Sequence, residues 1–187
     1  MFFQTKKYVY AAALALIVLL PGCRIWQCKK DSEQGQASSA QALAQARDNK
    51  LYVINVLEKS LYDDCHIKGS INVPYEGVDA FVSNLSKDVQ MVVYCSNYQC
   101  TASHQIAKKL IDQGFTQVWA YEGGMAQWYQ MGAQDSSQRA NYPIEGACSP
   151  QRNGYLTKEI ERSNDEPTVP VIDAQELRQK MVEHNLL

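Results

Sequence analysis

The 187-residue sequence lacks the patterns that mark several large classes of protein. Its six cysteines and three histidines form no CxxC or HxxxH pair, so no zinc-site spacing is present. The formal net charge is only −2, with the charges interspersed, which disfavours a nucleic-acid-binding surface. Glu122–Gly124 lacks the further glycines of a phosphate-binding loop. We therefore expect no metal site, no organic cofactor and no nucleic-acid partner.

Long hydrophobic runs are also missing, because the longest covers only residues 8–20. Such a run is too short to span a bilayer comfortably. It follows two lysines and leads to Leu-Pro-Gly-Cys at residues 20–23, which is the order of a secretory signal. This tetrapeptide resembles the lipobox of bacterial lipoproteins. We predict a signal peptide over residues 1–22, lipidation of Cys23, and an exported protein held at the membrane by a lipid anchor, either periplasmic or on the cell surface. An uncleaved signal anchor and ordinary cleavage are the alternatives.

The rest of the chain divides into three parts by composition. Residues 23–37 lack periodicity and become polar and small, so they are predicted to be a flexible tether. Residues 38–133 carry the strand and helix patterns of a globular domain. Residues 134–187 are interrupted repeatedly by proline and glycine and form a C-terminal extension. The sequence leaves open whether this extension wraps around the domain or extends away from it.

Two segments carry the signature of a helix start. Ser39 can cap a short helix that reaches Arg47, ahead of the first strand. Asp173 and Glu176 have the spacing of a capping box, which predicts a terminal helix. Residues 39–43 and 173–177 are faintly alike, so the terminal helix is alternatively the entry helix of a second copy of the domain.

Strand-like and helix-like patterns alternate through the domain. Predicted strands lie at residues 51–56, 71–74, 91–94 and 117–121, and predicted helices at 79–85, 102–111 and 125–131. This alternation indicates an α/β fold with a largely parallel sheet. Reactive loops usually lie at the carboxyl ends of the strands in such a sheet.

The segment Met91–Gly114 combines a buried strand, a short loop and an amphipathic helix. Cys95 begins the loop, and Cys100 ends it. In this arrangement, backbone N–H groups and the helix N-terminus can point toward the sulfur of Cys95, which favours a thiolate. We therefore predict that Cys95 is a nucleophile. The alternative is an inert loop cysteine.

Several segments in order are together similar to a rhodanese domain, the sulfurtransferase family. These segments are Tyr52–Val56, Cys65–Pro74, Val93–Cys95, Glu122–Met125 and Trp128. The resemblance implies a central, mostly parallel sheet flanked by helices on both faces. It also implies that Cys95 carries sulfane sulfur as a persulfide, taken from a small donor and passed to a thiol or cyanide acceptor. A non-catalytic binding or redox-sensing module with the same fold is the alternative.

The loop departs from the family pattern in its charge. The family often has glycine where Tyr98 stands and arginine where Cys100 stands, and this loop contains no cation. An anion would then depend on backbone amides, the helix dipole and neighbouring side chains. The predicted substrate-binding residues are Ser96, Asn97, Tyr98, Gln99 and Thr101. We expect polysulfide or a small persulfide to be a better donor than thiosulfate.

Cys100 allows two interpretations. As a resolving thiol it would attack the Cys95 persulfide, release sulfide and leave a disulfide. Otherwise it is a small residue that fills the end of the loop. A phosphatase of the CX5R kind is disfavoured, because Thr101 stands where that chemistry needs arginine.

The remaining cysteines and His66 are predicted to lie outside the reactive site. If Cys23 is lipidated, an odd number of cysteines is left, so at least one thiol is free or pairs with another chain. Free thiols are the default prediction for Cys28, Cys65 and Cys148, with a disulfide that involves Cys65 or Cys148 as the alternative. His66 is predicted to be a hydrogen-bonded structural residue.

Overall fold

A four-stranded parallel sheet lies at the centre of this protein, whose computed structural model describes residues 51–133, 136–158 and 168–187. The strands are β1 (Leu51–Asn55), β2 (His66–Ile67), β3 (Ile71–Asn72), β4 (Gln90–Tyr94), β5 (Gln117–Tyr121) and β6 (Ile144–Glu145). The helices are α1 (Lys59–Asp64), α2 (Val78–Val82), α3 (Ala102–Asp112), α4 (Gly124–Ala133), α5 (Ser136–Arg139) and α6 (Ala174–Glu183). The central sheet has the order β3-β1-β4-β5, and β2 pairs with β6 separately.

The strands of the sheet are buried on both faces, as their nearly continuous apolar sequences predict. All five residues of β1 are buried, and β1 pairs with β4 over its full length, from Leu51 opposite Gln90 to Asn55 opposite Tyr94. Alternate side chains of β1 enter two different clusters. Tyr52 and Ile54 belong to one cluster, and Leu51 and Val53 belong to the other.

These two hydrophobic clusters lie on opposite faces of the sheet and carry different helices. The first cluster contains residues of α2 and α3, including Phe81 and Leu110. The second contains residues of α4 and α6, including Trp128, Leu177 and Met181. Helices therefore cover both faces, which confirms the predicted α/β fold with a mostly parallel sheet.

Some sequence predictions need adjustment, and others lie outside the described residues. The helix predicted over residues 79–85 is α2, which ends at Val82 because the next turn bonds Leu85 N to Val82 O in a tighter pattern. The predicted signal peptide, tether, Cys23, Cys28 and the helix that starts at Ser39 are outside the described ranges. In the part of the chain that the structure describes, no helix is long and apolar enough to cross a bilayer.

The C-terminal extension wraps around the sheet. Strand β6 pairs antiparallel with β2, with Ile144 opposite Ile67. This pairing brings Cys148 to Cys65, and the two form a disulfide across 83 positions of sequence, with 4.5 Å between their Cα atoms. The default prediction of free thiols at Cys65 and Cys148 is therefore wrong. Spacing alone could not reveal the pair, because only the contact of β6 with β2 brings these cysteines together.

The last described segment extends the sheet and then covers it. Ala120 N in β5 donates to Pro170 O at 2.9 Å, and Ile172 N donates to Ala120 O at 3.1 Å, so the segment runs parallel to the edge of the sheet. Helix α6 follows at once. Its predicted capping box is confirmed, with the Asp173 side chain accepting from the backbone of Glu176 and the Glu176 side chain accepting from Asp173 N.

Candidate active site

The loop of residues 95–101 connects the carboxyl end of β4 to the N-terminus of α3. Strand β4 is central in the sheet, with β1 on one side and β5 on the other. The first loop residue, Cys95, therefore lies at the carboxyl edge of the sheet, where parallel α/β proteins place reactive groups. The sequence prediction of a strand, a cysteine loop and a helix is confirmed here.

The sulfur of Cys95 is buried and faces hydrogen-bond acceptors. Its Sγ donates to Cys100 O at 3.0 Å, and Ser103 Oγ is 3.6 Å away. The sequence predicts N–H groups around this sulfur, and the Ser103 backbone supplies one such hydrogen bond. The close carbonyl, however, favours the protonated thiol, because an oxygen acceptor requires the S–H proton.

Cys100 is the partner of Cys95 at this site, and both thiols are free. The interaction between their side chains raises the pKa of Cys95 and lowers the pKa of Cys100 to about 5. Burial and the charge on Cys100 raise the pKa of Cys95 further. The Ala102 and Ser96 backbone amides help to lower the pKa of Cys100. These shifts favour a negative charge on the half-buried Cys100. The Cys95 S–H donates to the carbonyl oxygen of the same residue.

The other predicted binding residues surround the pair in different ways. The Ser96 side chain hydrogen-bonds to the sulfur of Cys100. The buried Asn97 shapes the loop, since its Oδ1 accepts from Gln99 N at 3.0 Å and its carbonyl accepts from Cys100 N at 2.9 Å. Tyr98 is half-buried, whereas Gln99 and Thr101 are exposed. Ser96 thus reaches the thiol pair, and Gln99 and Thr101 face the solvent.

The turn between β5 and α4 holds the start of the 95–101 loop in place through backbone hydrogen bonds. Met125 N donates to Cys95 O at 3.0 Å, and Ala126 N donates to Ser96 O at 2.9 Å. Gly124 makes this approach possible, because it has φ +59° and a Cβ there would lie 2.6 Å from Cys95 O. The glycine turn therefore holds the backbone on which the cysteine sits.

His66 does not belong to this thiol site. Its Nδ1 donates to Tyr62 O at 2.7 Å, its ring stacks on that of Tyr62, and its Nε2 is 3.3 Å from a carboxylate oxygen of Glu145. This geometry agrees with the structural role predicted for it. Among the described residues, no group of three or more His, Cys, Asp or Glu side chains is placed to hold a metal ion.

A comparison with known protein families identifies the family to which this fold belongs. The family model described as a rhodanese-like domain matches residues 38–131, just over half of the chain. The chain belongs to the rhodanese-like domain family. The resemblance read from the sequence is therefore confirmed at the level of the family.

Several proteins related to this rhodanese-like domain are named as enzymes. The thiosulfate sulfurtransferase GlpE of Pseudomonas paraeruginosa is 28% identical over 106 residues, which cover 57% of this chain and 94% of that protein. The protein of the same name from Shewanella oneidensis is 27% identical over 96 residues, or 51% of this chain and 93% of its own. Among solved structures, the rhodanese-like domain of the Alr3790 protein from Anabaena is 29% identical, covers 51% of this chain and 98% of its own, and has a TM-score of 0.42.

Sequence reasoning missed two side chains near the thiol pair of this rhodanese-like domain. Ser103 touches the sulfur of Cys95, and a signal for it exists, because a serine lies on the apolar face of α3 with Ile106 and Ala107. Tyr155 comes from the C-terminal extension, where burial and then the charges of Asp64 and Cys95 raise its pKa to about 12. No local pattern could have placed Tyr155 within electrostatic range of Cys95, because only the wrapping of the extension brings it there.

Proposed function

We propose that this rhodanese-like domain is a sulfurtransferase that carries sulfane sulfur as a persulfide on Cys95. The observation that carries the proposal is the pair of free thiols in this loop, in which Cys95 Sγ donates to Cys100 O at 3.0 Å and the pKa of the Cys100 thiol is lowered to about 5. Family membership and the sulfurtransferase names of the relatives support the same reaction class.

The pair supplies a base for the attacking thiol. When Cys95 attacks the outer sulfur of a donor, its proton passes to the Cys100 thiolate, and a new bond forms between the sulfur of Cys95 and that outer sulfur. The bond inside the donor breaks, and its remaining part leaves with the bonding electrons. An acceptor thiolate or cyanide then takes the outer sulfur, and the Cys95 thiolate recovers its proton.

Cys100 can also end the cycle inside the protein. As a thiolate it attacks the Cys95 sulfur of the persulfide, forms a Cys95–Cys100 disulfide and expels hydrosulfide. An external dithiol or two thiols must then reduce this disulfide before another turnover. This cycle is a dithiol relay, and it starts from the two free thiols that the structure shows.

The preferred donor follows from the charge of the loop. Residues 95–101 contain no lysine or arginine, so the dianion thiosulfate finds no side-chain cation there. We propose that polysulfide or a small persulfide is used more efficiently. The names of the relatives mention thiosulfate, so a direct comparison of donors is the informative experiment.

Mass spectrometry of the intact chain and its peptides tests the proposal. After treatment with polysulfide, we expect one added sulfur on the peptide that contains Cys95, and none in Cys95→Ala. Cys100→Ser should keep the added sulfur for longer and should not form the Cys95–Cys100 disulfide. An unmodified Cys95 in the wild-type protein, with every donor tried, would remove the enzyme interpretation.

A redox-sensing module is the second candidate, and the burial of Cys95 favours it. A buried, protonated thiol reacts slowly with external donors, whereas the neighbouring half-buried Cys100 can be oxidised first and then captured by Cys95. This function predicts a Cys95–Cys100 disulfide after treatment with hydrogen peroxide and no sulfur transfer. The same peptides, measured after peroxide and after polysulfide, separate the two functions.

We also propose that the domain works outside the cytoplasm on a lipid anchor at Cys23. The Cys65–Cys148 disulfide supports an oxidising compartment, where such bonds persist. In a bacterial host, labelling with a fatty-acid analogue should tag the wild-type chain and leave Cys23→Ser untagged. Equal labelling of both chains would reject the anchor.

A further inference from the structure

The segment 169–187 occupies a large surface of the sheet. Val171 is bridged to Ala120 at the edge, and the buried side chains of α6 belong to the second hydrophobic cluster. These buried residues are Ala174, Leu177 and Met181. Lys180 lies over the Trp119 ring, 4.3 Å from its centroid. Without an occupant, this surface would expose apolar side chains of β5 and α4 to water.

In sequence, residues 38–50 (the first segment) resemble part of residues 169–187 (the second segment), which cover this surface. At an offset of 134 positions, Ala40, Gln41, Leu43 and Gln45 are identical to Ala174, Gln175, Leu177 and Gln179. Two of these four positions, Ala174 and Leu177, are among the three buried residues of α6. The family match begins at residue 38 and ends at 131, so it includes residues 38–50 and excludes the segment that covers this surface.

The position that α6 occupies is also within reach of residues 38–50. Lys180 Nζ is 3.0 Å from Gln90 Oε1, and the His184 ring is 3.2 Å from the Gln90 amide, so α6 ends at the start of β4. Leu51 is the register partner of Gln90 in the adjacent strand β1. Leu51, the first described residue, therefore lies in the strand next to the residue that the end of α6 contacts. A helix over residues 39–47, as the sequence predicts, would need only residues 48–50 to reach β1.

We propose that the sheet surface covered by residues 169–187 is a docking surface for which residues 38–50 of the same chain compete. The inference is independent of the proposed sulfur chemistry. Residues 38–50 are the second occupant and connect directly to β1. Residues 169–187 are connected to the domain through the long C-terminal extension. Only one of the two segments can lie on the surface at a time.

The C-terminal segment has the stronger contacts of the two. It combines a complete capping box with a buried methionine at position 181 and a sheet bridge. In residues 38–50, Ala42 stands at the position equivalent to Glu176 and cannot complete a capping box. Arg47 stands at the position equivalent to Met181, where the contact is buried and apolar. The segment 169–187 is therefore the favoured occupant, in agreement with the structure, and residues 38–50 take its place when it is weakened.

Hydrogen exchange of the full chain, read by mass spectrometry, tests the competition. Leu177→Glu places a charge in the buried contact, and Gln175→Glu, at an exposed position, is its matched control. In Leu177→Glu we expect faster exchange at residues 169–187, retained protection in β1, β4 and β5, and exchange at residues 38–50 at least about tenfold slower than in the wild type. Gln175→Glu should match the wild type in all three regions.

Further variants test whether residues 38–50 use the same surface. Leu43→Glu alone should leave residues 169–187 protected, and Leu43→Glu combined with Leu177→Glu should lose protection in β5, because neither segment can dock. Ala42→Glu combined with Leu177→Glu is the control and should retain it. The proposal is wrong if Leu177→Glu unfolds the whole chain, if it leaves exchange at residues 38–50 unchanged, or if the chain protects the surface by forming a dimer.

Discussion

The thiol of Cys100 is more acidic in this fold than a loop cysteine usually is. A cysteine at the end of a loop is usually a weak acid, with a pKa near 8.5. Here the neighbouring Cys95 side chain, together with backbone amides of Ala102 and Ser96, lowers the pKa of Cys100 to about 5. The two shifts therefore favour a negative charge on Cys100, the more exposed sulfur of the pair.

The lowered pKa of Cys100 predicts a pH profile for alkylation. With iodoacetamide at pH 7, we expect peptide-resolved modification at Cys100 to be faster than at Cys95, and to fall as the pH drops through about 5. The sign follows from the thiolate, which is present above the lowered pKa and lost below it. In Cys95→Ala the midpoint should move upward, because the S–H donor is gone. A pH profile for Cys100 that is unchanged in Cys95→Ala would contradict this assignment.

The uncharged loop predicts a change of donor preference at a single position. Gln99 is exposed within the loop, so Gln99→Arg adds a cation with little effect on packing. We expect kcat/KM for thiosulfate to rise by about tenfold and the value for polysulfide to change less, because thiosulfate is held by charge-assisted hydrogen bonds. Gln99→Glu is the matched control and should lower thiosulfate turnover. Equal values for all three proteins would show that charge at position 99 has no influence on the donor.

At the scale of elements, the loop depends on the turn between β5 and α4. Two backbone hydrogen bonds join this turn to Cys95 and Ser96, and Gly124 allows the two backbones to approach. The helix α3 supplies the other support, through Ser103. The site is thus held between elements that the parallel sheet places side by side.

Gly124→Ala tests this support. The positive φ alone disfavours an L-residue by about 1–2 kcal/mol, and the new Cβ would also press on the backbone of the loop. We expect a loss of at least that size in the free energy of unfolding, together with reduced sulfur loading on Cys95. Gly154→Ala is the control, because a Cβ there meets nothing within 4 Å and its φ is not positive. Equal unfolding midpoints for the two variants would contradict the role of Gly124.

At the scale of the whole molecule, the C-terminal extension is part of the folded unit. Its strand β6 pairs with β2, its disulfide joins Cys148 to Cys65, and the side chains of Asn153 and Arg152 bind the carboxylate of Asp64. The extension also contributes Tyr155, whose hydroxyl is within electrostatic range of Cys95. The stability of the domain and the surroundings of its site therefore both depend on residues beyond the family match.

Removing the disulfide should measure this contribution. In Cys65→Ser combined with Cys148→Ser, we expect the free energy of unfolding in urea to fall by about 2–4 kcal/mol, because the bond closes a long loop in the unfolded chain. A reducing agent should lower the stability of the wild type and leave the double variant unchanged. Cys100→Ser is the control for loss of a thiol outside the bond and should keep the sensitivity to reduction. Equal stability of the wild type and the double variant would contradict the estimate.

The sequence by itself determined the sheet, the loop and the position of Cys95. It could do so because each depends on a local pattern: buried strands at 51–55, 90–94 and 117–121, an amphipathic helix after the loop, and a glycine turn. Only the tertiary structure decided the partners of these elements. The pairing of Cys65 with Cys148, the contact of Ser103 with the Cys95 sulfur and the acidity of Cys100 all depend on distances and hydrogen bonds between groups that the fold brings together. Such contacts leave no periodic signal in the chain, because they are set by packing and loop conformation rather than by the order of residues.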